Sequence, residues 1–236
     1  TYLFRLESAY QNRQSWDLII ITTSTLQWAA YLEKHFESLR GILFPKTAEF
    51  VVVAEVDEQG NSIRLGNLGG TINAIRKAED KGYPVRAYLE QGKRILMMHT
   101  AGRGSRNQPI TAAEGVNKAN CKSPAEFGGV LFTYMDQSVS QSYQLLEDTE
   151  AGTLTIISCD QFWVVGQSVK GNGHDIKIYA QTQPFTKELE GLGRLYTDKD
   201  GMLLQMHEKK PYKQMIGLFG AEEGYVNMAL YRWNYK

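Results

Sequence analysis

Cysteine, net charge and long apolar runs are scarce in this sequence of 236 residues, and each scarcity excludes a class of protein. Its two cysteines, Cys121 and Cys159, are too few for a disulfide framework and are not spaced as a metal-binding C-x-x-C. The 26 basic and 26 acidic residues balance, so the chain lacks the basic field that nucleic-acid-binding proteins usually carry. No apolar run approaches the roughly 18 residues of a membrane span. We therefore expect no nucleic-acid partner and no membrane partner.

The first residues also lack a targeting pattern. Residues 1–7 (TYLFRLE) do not show the basic stretch and apolar stretch that make up a signal peptide. The length suits one domain with a substantial core. These features predict a single cytoplasmic domain over residues 1–236.

Apolar segments and helical patterns alternate along the first half of the chain. Apolar runs at 16–22, 50–54 and 95–98 predict buried strands. Helices are predicted from Ser24 or Thr25, as the cap, to about Arg40, and over 72–78. The order of strand, helix, strand, helix and strand is typical of an α/β fold.

The second half is predicted in less detail. A strand is predicted at 153–158, another at 176–180, and a hairpin over 191–206 with its turn at 198–201. Residues 130–134 fit either strand or helix, and 137–147 fit a helix. Residues 1–15 are predicted to form a polar helix, residues 121–124 an irregular segment and 170–174 a loop.

The first predicted helix carries a stripe that we expect to face the core. Its members recur at steps of three and four residues: Trp28, Tyr31, Leu32, His35, Phe36 and Leu39. No second metal ligand lies near His35, so we interpret it as a packing or capping residue.

The strand at 95–98 is followed at once by a segment suited to a polyphosphate. Residues 101–106 (AGRGSR) place glycines where backbone N–H groups can approach an anion closely. Arg103 and Arg106 add planar guanidinium groups that match phosphate oxygens, and Lys118 adds a further positive charge.

The segment does not match two well-known phosphate-binding motifs. A Walker loop needs Gly-Lys-Ser/Thr after the glycines, and the sequence has none. The dinucleotide fingerprint G-x-G-x-x-G fails because Asn107 stands where the third glycine belongs. An ordinary strand-to-helix turn with solvated arginines remains the simplest alternative.

The same residues resemble the signature of the sugar-1-phosphate nucleotidyltransferases, A-G-G-x-G-T-R-L-x-P-x-T followed by P-K. Residues 100–111 align with it without a gap, and Ser105 stands in for the threonine. The outright matches are Gly102, Gly104, Arg106, Pro109 and Thr111. Lys118 takes the place of the signature lysine. The departures include Ala101 for the first glycine, Asn117 for the proline and two extra residues before Lys118.

Two earlier segments narrow the resemblance to one branch of that family. The W-D pair that opens residues 16–24, and G-N-L-G-G-T at 66–71, resemble segments that precede the signature in GDP-fucose pyrophosphorylases. The guanylyltransferase part of bifunctional fucokinase enzymes shares them, as do relatives that act on cyclitol phosphates. A glycine-rich turn that leads into a helix is also a potential anion contact.

Asp160 follows the strand predicted at 153–158. Ligands of open α/β sheets gather beyond the carboxyl ends of strands, where a carboxylate is a natural Mg²⁺ ligand. The resemblance assigns Asp160 to the magnesium that the family uses as its cofactor. A helix-capping role is the alternative for Asp160, and Asp136 is a weaker candidate because no clear strand ends there.

Three residues nearer the C-terminus complete the resemblance. Residues 205–211 resemble the family's F-x-E-K-P, so Lys209 or Lys210 would contact the sugar phosphate, and a solvated charge cluster is the alternative. Asn227 lies in a segment that resembles a strand carrying an asparagine toward the sugar. Family members continue into a left-handed β-helix, so the sequence is either a minimal form or a fragment lacking it.

The resemblance implies a Rossmann-like mixed sheet flanked by helices, of the nucleotide-diphospho-sugar transferase type. It implies condensation of a nucleoside triphosphate, GTP being favoured, with a sugar or cyclitol 1-phosphate. The residues it assigns to catalysis are Arg106, Lys118 and Lys210. Those it assigns to the nucleotide are Gly66, Gly69, Gly70, Thr71, Gly102, Gly104 and Ser105. A non-catalytic nucleotide-sugar-binding regulatory subunit is the alternative, and a homo-oligomer stays open.

Overall fold

The computed structural model describes residues 15–41, 45–63, 65–100, 120–127, 130–159, 175–184, 193–207, 210–219 and 223–235. The chain divides into two compact units, Thr1–Asp175 with Arg232–Lys236, and Ile176–Tyr231. The elements are, in chain order, β1 (Leu18–Thr23), α1 (Leu26–Ser38), β2 (Glu49–Ala54), α2 (Gly66–Asp80), α3 (Val85–Glu90), β3 (Ile95–His99), β4 (Lys122–Phe127), β5 (Val130–Thr133), α4 (Tyr134–Leu146), β6 (Thr153–Ser158), β7 (Ile176–Pro184), β8 (Arg194–Thr197), β9 (Leu203–His207), α5 (Tyr212–Phe219) and β10 (Glu223–Asn234).

A parallel sheet in the order β2-β1-β3-β6 forms the centre of the first unit. Leu18 is level with Glu49 on one side and Ile95 on the other, and Ile95 is level with Leu154. The first three strands are the predicted apolar runs, buried almost throughout because parallel strands are covered on both faces. This is an α/β arrangement with a mixed, mostly parallel sheet flanked by helices, compatible with the predicted Rossmann-like fold.

Helix α1 packs on β1 and β2 and begins where the sequence predicted. Thr25 is the cap, because its hydroxyl oxygen accepts a hydrogen bond from the Trp28 N–H at 3.2 Å. Leu32 and Phe36 are buried as expected. The prediction was wrong for Tyr31, which is exposed because it stacks on His35 at the outer margin of the helix.

Residues 130–134, for which the sequence allowed strand or helix, form a strand that is followed directly by a helix. β5 ends at Thr133, which also caps α4. The Thr133 hydroxyl accepts from the Asp136 N–H at 3.2 Å, and the Asp136 carboxylate accepts from the Thr133 N–H at 2.8 Å. This reciprocal capping box starts the helix at Tyr134, three residues before the predicted start.

The segment 121–124, predicted to be irregular, contains the start of a strand. β4 pairs with β5 in a two-stranded antiparallel ribbon, with Phe127 level with Val130. Its register shifts between Lys122 and Glu126, around Pro124. Proline is tolerated in such a strand because an edge or an irregular pair leaves one N–H position without a ladder partner. Pairing between the two segments therefore overrides the local turn signal.

The second unit contains the predicted hairpin. β8 and β9 are antiparallel, with Arg194 level with His207. In the turn, Asp198 Oδ1 accepts from the Met202 N–H at 2.8 Å, and Gly201 adopts a φ of 81° that favours glycine. β10 pairs with β8, and β7 pairs with β10.

Some expectations fall beyond the described part of the chain. These are residues 1–14 of the polar helix predicted over 1–15 and the loop at 170–174. Among the described residues, no helix combines the length and apolar character needed to cross a bilayer.

Candidate functional site

Polar side chains meet at the carboxyl ends of the first three parallel strands. Thr22 of β1 is level with His99 of β3, and their side chains approach to 3.2 Å between Oγ1 and Nδ1. Glu55 follows β2 directly, and its Oε1 lies 3.8 Å from His99 Nδ1. Parallel strands end at one edge of a sheet, so three residues far apart in sequence form one cluster.

Helix α2 supplies a fourth member of this cluster. The Thr71 hydroxyl donates to the Asn67 carbonyl at 2.8 Å and lies 2.9 Å from His99 Nε2. With its single proton on Asn67, the Thr71 oxygen can accept from His99 in the tautomer that carries a proton on Nε2. Thr22 can then give its proton to His99 Nδ1 or to Glu55. The cluster is a connected proton-sharing network.

Burial and charge act in opposite directions on Glu55. Removal from water raises the pKa of its carboxyl group, while the hydrogen bond from Thr22 and the charge of Lys77 lower it. Lys77 donates to the Ala54 and Val56 carbonyls at 2.8 Å each. Burial also lowers the pKa of the Lys77 ammonium, with the nearby Arg76 acting in the same direction. The strand end thus holds a carboxyl group that protonates more readily than an exposed one.

Gly70 lets α2 approach this network closely. A Cβ atom at this position would lie 2.9 Å from Glu55 Oε1 and 3.5 Å from His99 Cε1. Gly70 and Thr71 are therefore buried against the strand ends, whereas Gly66 is exposed and adopts a φ of 68°. The predicted turn at 66–71 is instead the beginning of the helix, and Gly70 is the glycine that packs against Glu55 and His99.

The predicted phosphate loop lies outside the described residues. This holds for Gly102, Gly104, Ser105, Arg106 and Lys118, and equally for Asp160 and Lys209. The strand ends from which these segments continue are described. The Thr100 N–H donates to the Thr22 carbonyl at 3.3 Å, and the Cys159 N–H donates to the His99 carbonyl at 3.2 Å. Thr100, before the loop, and Cys159, before Asp160, are therefore tied to neighbouring strand ends.

Lys210 and Asn227, predicted for the sugar phosphate, belong to the second unit. Lys210 is exposed just before α5. Asn227 is buried, and its amide donates to the Tyr231 hydroxyl at 2.6 Å while its Oδ1 accepts from the Ala229 N–H at 2.8 Å. These bonds hold Ala229 at a φ of 47°, a left-handed conformation unusual for alanine. Asn227 therefore supports a bend in β10.

His35 and Asp136 form a separate pair that joins α1 to α4. His35 Nε2 lies 2.7 Å from Asp136 Oδ1, and Asp136 is completely buried. Because Thr133 also holds the Asp136 carboxylate, both oxygens are used within the fold. This arrangement confirms the packing role predicted for His35.

The described part of the chain does not bring three His, Cys, Asp or Glu side chains together in the manner of a metal site. The strand-end network offers one carboxylate with hydroxyl and imidazole groups, which suits hydrogen bonding better than Mg²⁺, an ion that prefers several oxygen ligands.

Sequence reasoning missed Thr22, Glu55 and His99 as members of the site. The available signal was a polar residue at or just after the end of each of three apolar runs. The sequence matches no protein-family model, and no curated protein matches it significantly.

Proposed function

We propose that the chain is a nucleotidyltransferase that condenses a nucleoside triphosphate, with GTP favoured, and a sugar or cyclitol 1-phosphate. A phosphate oxygen of the acceptor attacks the α-phosphorus of the triphosphate in line. The bond from the α-phosphorus to the bridging oxygen breaks, and pyrophosphate leaves with that oxygen. The products are a nucleotide-sugar and pyrophosphate.

The observation that supports this proposal is the convergence of strand ends around His99. The loop with the signature residues continues from Thr100, which is bonded to the Thr22 carbonyl. Asp160 continues from Cys159, which is bonded to the His99 carbonyl. The glycine-rich start of α2 packs on the same network through Gly70 and Thr71. Three segments with phosphate-suited residues thus start from one edge of a parallel sheet, where ligands of α/β proteins bind.

Each group has a role in this scheme because phosphoryl-type transfer needs alignment and charge neutralisation more than a protein nucleophile. Gly102, Gly104 and Ser105 would contact the triphosphate, and Arg106 and Lys118 would neutralise the departing pyrophosphate. Asp160 would hold Mg²⁺, which supplies positive charge between phosphate groups. Lys210 or Lys209 would orient the acceptor phosphate, with Asn227 near the sugar.

Within this proposal, the residues at the start of α2 divide into two groups. Gly70 and Thr71 are buried and bonded to the strand-end network, so they would act by fixing the helix that carries Gly66 and Gly69. His99 would be the residue that links this helix to the end of β1. We assign His99 a positioning role.

Pyrophosphate release tests the proposal. The purified protein with Mg²⁺ is offered GTP, UTP or ATP against a panel of sugar and cyclitol 1-phosphates. We expect turnover with at least one pair. Arg106→Ala should lower kcat roughly 10²–10³-fold, the scale for loss of one donor that stabilises developing charge. The matched control is Arg76→Ala, because Arg76 is exposed on α2. This variant should retain the wild-type rate.

The alternative function gives a different result in the same experiment. A regulatory subunit would bind the nucleotide or nucleotide-sugar in calorimetry and release no pyrophosphate, and the substitutions Ala101 and Asn117 in the signature are the features that favour it. Absence of both binding and turnover in a folded protein would reject both functions.

A further inference from the structure

The strand-end network connects the Glu55 carboxyl group to the main chain of α2 through a line of side chains. The Thr22 hydroxyl is hydrogen-bonded to this carboxyl group and lies 3.2 Å from His99 Nδ1. His99 Nε2 lies 2.9 Å from the Thr71 hydroxyl, which donates to the Asn67 carbonyl at 2.8 Å. Glu55 Oε1 itself is 3.8 Å from His99 Nδ1, too far for a hydrogen bond, so Thr22 links the two. A change of protonation at Glu55 therefore has a path to the first turn of α2.

The main chain around Glu55 is fixed on every side. Its N–H donates to the Thr23 carbonyl at 2.7 Å, and its carbonyl accepts from the Ile63 N–H at 2.9 Å. The Lys77 ammonium donates to the carbonyls on either side of Glu55, at 2.8 Å each. Gly70 approaches the carboxyl group two turns before Lys77 on the same helix. The carboxyl group is therefore held in place, and a change in its charge acts on the hydrogens of its neighbours.

The groups that face Glu55 favour its neutral form. Within the described part of the chain, the titratable groups facing it are Lys77 of α2 and His99 of β3, and Thr22 of β1 is uncharged. The charged groups that act on Lys77 in turn are Arg76, Asp57 and Asp80. Burial raises the pKa of Glu55 above its ordinary value of 4.5, and Thr22 and Lys77 only partly offset this. Glu55 therefore ionises at a higher pH than an exposed glutamate does.

The protonation of Glu55 decides which way the hydrogen bonds of the line point. A neutral Glu55 donates to Thr22, and Thr22 donates to His99 Nδ1. His99 then donates from Nε2 to Thr71, whose own proton stays on the Asn67 carbonyl. An ionised carboxylate is the stronger acceptor and draws the Thr22 proton to itself. A neutral His99 reaches the Thr22 oxygen only with its proton on Nδ1, which makes Nε2 an acceptor.

We propose that Glu55 is a pH-dependent switch for the first turn of α2. Its ionisation moves the proton of His99 from Nε2 to Nδ1, and the Thr71 hydroxyl turns from the Asn67 carbonyl to His99 Nε2. The Glu55 proton passes to solvent, and the line keeps its other protons. The first turn of α2 thus loses one hydrogen bond to its main chain as the pH rises. This inference does not depend on the proposed enzymatic function, because it is tested without a nucleotide.

The nitrogen chemical shifts of the His99 imidazole, measured by NMR from pH 4 to pH 9, test the switch. His99→Gln identifies which of the four histidine signals belongs to this residue. In the wild type, Nε2 should be protonated at acidic pH and should lose its proton as Glu55 ionises.

Two variants of acidic residues complete this measurement. The amide of Glu55→Gln is uncharged and can donate to Thr22 as the neutral carboxyl group does, so Nε2 should stay protonated throughout. Glu58→Gln is the matched control, because Glu58 is exposed, and it should switch as the wild type does. A wild type that keeps the Nε2 proton over the whole range, or an equal switch in Glu55→Gln, overturns the proposal.

Amide hydrogen exchange in the first turn of α2 covers the case in which Glu55→Gln fails to fold. Loss of one hydrogen bond should lower the protection of these amides roughly 2- to 10-fold, after correction for the intrinsic rate at each pH. Thr71→Ser keeps the hydroxyl and should lose protection with rising pH as the wild type does. Thr71→Val lacks the hydroxyl and should show the lower protection at every pH. The same pH dependence in both variants overturns the proposal.

Discussion

The carboxyl group of Glu55 is placed where its charge is costly. It is buried at the end of β2, between Thr22, His99 and the close approach of Gly70. The hydrogen bond from Thr22 and the positive charge of Lys77 only partly offset the loss of water, and the pKa of Glu55 is raised from its ordinary value of 4.5. The folded protein therefore binds the Glu55 proton more tightly than the unfolded chain does.

This raised pKa predicts how the stability of the protein depends on pH. The contribution of Glu55 to the free energy of unfolding is fully present below pH 4.5 and is lost as the pH rises through the folded-state pKa. Glutamine does not ionise, so Glu55→Gln should not lose this stability as the pH rises. The stability of Glu55→Gln relative to the wild type should therefore increase as the pH rises from 4 to 7, in denaturant titrations at each pH.

Glu58→Gln supplies the comparison for this experiment. Glu58 is exposed in the turn that follows Glu55, so its substitution leaves the strand-end network intact. A relative stability of Glu55→Gln that falls between pH 4 and pH 7 would contradict the burial argument.

At the scale of elements, α1 depends on its N-terminal cap. The Thr25 hydroxyl accepts the N–H of Trp28, one of the four donors that a helix leaves without an internal partner. Thr25→Ala should lower the free energy of unfolding by about 1 kcal/mol, within a range of roughly 0.5–2. Chemical denaturation at neutral pH measures this difference.

The neighbouring Ser24 is the natural control for the cap. The sequence left Ser24 and Thr25 as equal candidates, and the structure selects Thr25. Ser24→Ala should change stability by less than about 0.5 kcal/mol, as surface substitutions usually do. Equal losses for Ser24→Ala and Thr25→Ala would show that the hydroxyl of Thr25 is not the feature that matters.

The elements that the sequence predicts best are those whose signal is local. The strands at 18–23, 49–54 and 95–99 each contain a continuous apolar run, and the strand at 153–158 is rich in β-branched residues. The hairpin turn carries its own hydrogen-bonding aspartate and glycine. The elements predicted worst depend on contacts distant in sequence. β4 exists because it pairs with β5, and the first turn of α2 packs on the ends of β2 and β3 through Gly70.

The residues of the site divide in the same way, into those with a local sequence signal and those without one. A resemblance could point to the glycines of 66–71, because the motif is contiguous. No contiguous pattern joins Thr22, Glu55 and His99, which are brought together only when three parallel strands lie side by side. Their number and spacing follow from the strand order β2-β1-β3, a tertiary property that a linear sequence does not specify.

At the scale of the whole molecule, a bound nucleotide should stabilise the folded chain by mass action. GTP with Mg²⁺ at about 100 times its dissociation constant adds about 2.7 kcal/mol. For a protein of this size, that corresponds to a rise in Tm of roughly 5–10 °C. Removal of Mg²⁺ with a chelator should reverse much of the rise, as measured by thermal unfolding.

Arg106→Ala separates this effect from nonspecific stabilisation by anions. The variant should show little shift with GTP and Mg²⁺, whereas the surface variant Arg76→Ala should shift as the wild type does. An equal shift in both variants would mean that the nucleotide binds elsewhere.

The second unit leaves the first and returns to it at adjoining points. Ile176–Tyr231 lies between Asp175 and Arg232 in sequence, and the Asn234 N–H donates to the Asp175 carbonyl at 2.7 Å. A segment whose two ends lie close together can change in length or be exchanged without distorting the unit into which it is inserted. The residues proposed for the acceptor phosphate, Lys209 and Lys210, belong to that exchangeable segment, whereas the signature loop belongs to the host. Under the proposed function, changes within this segment would alter the acceptor while the residues assigned to the nucleotide stay unchanged.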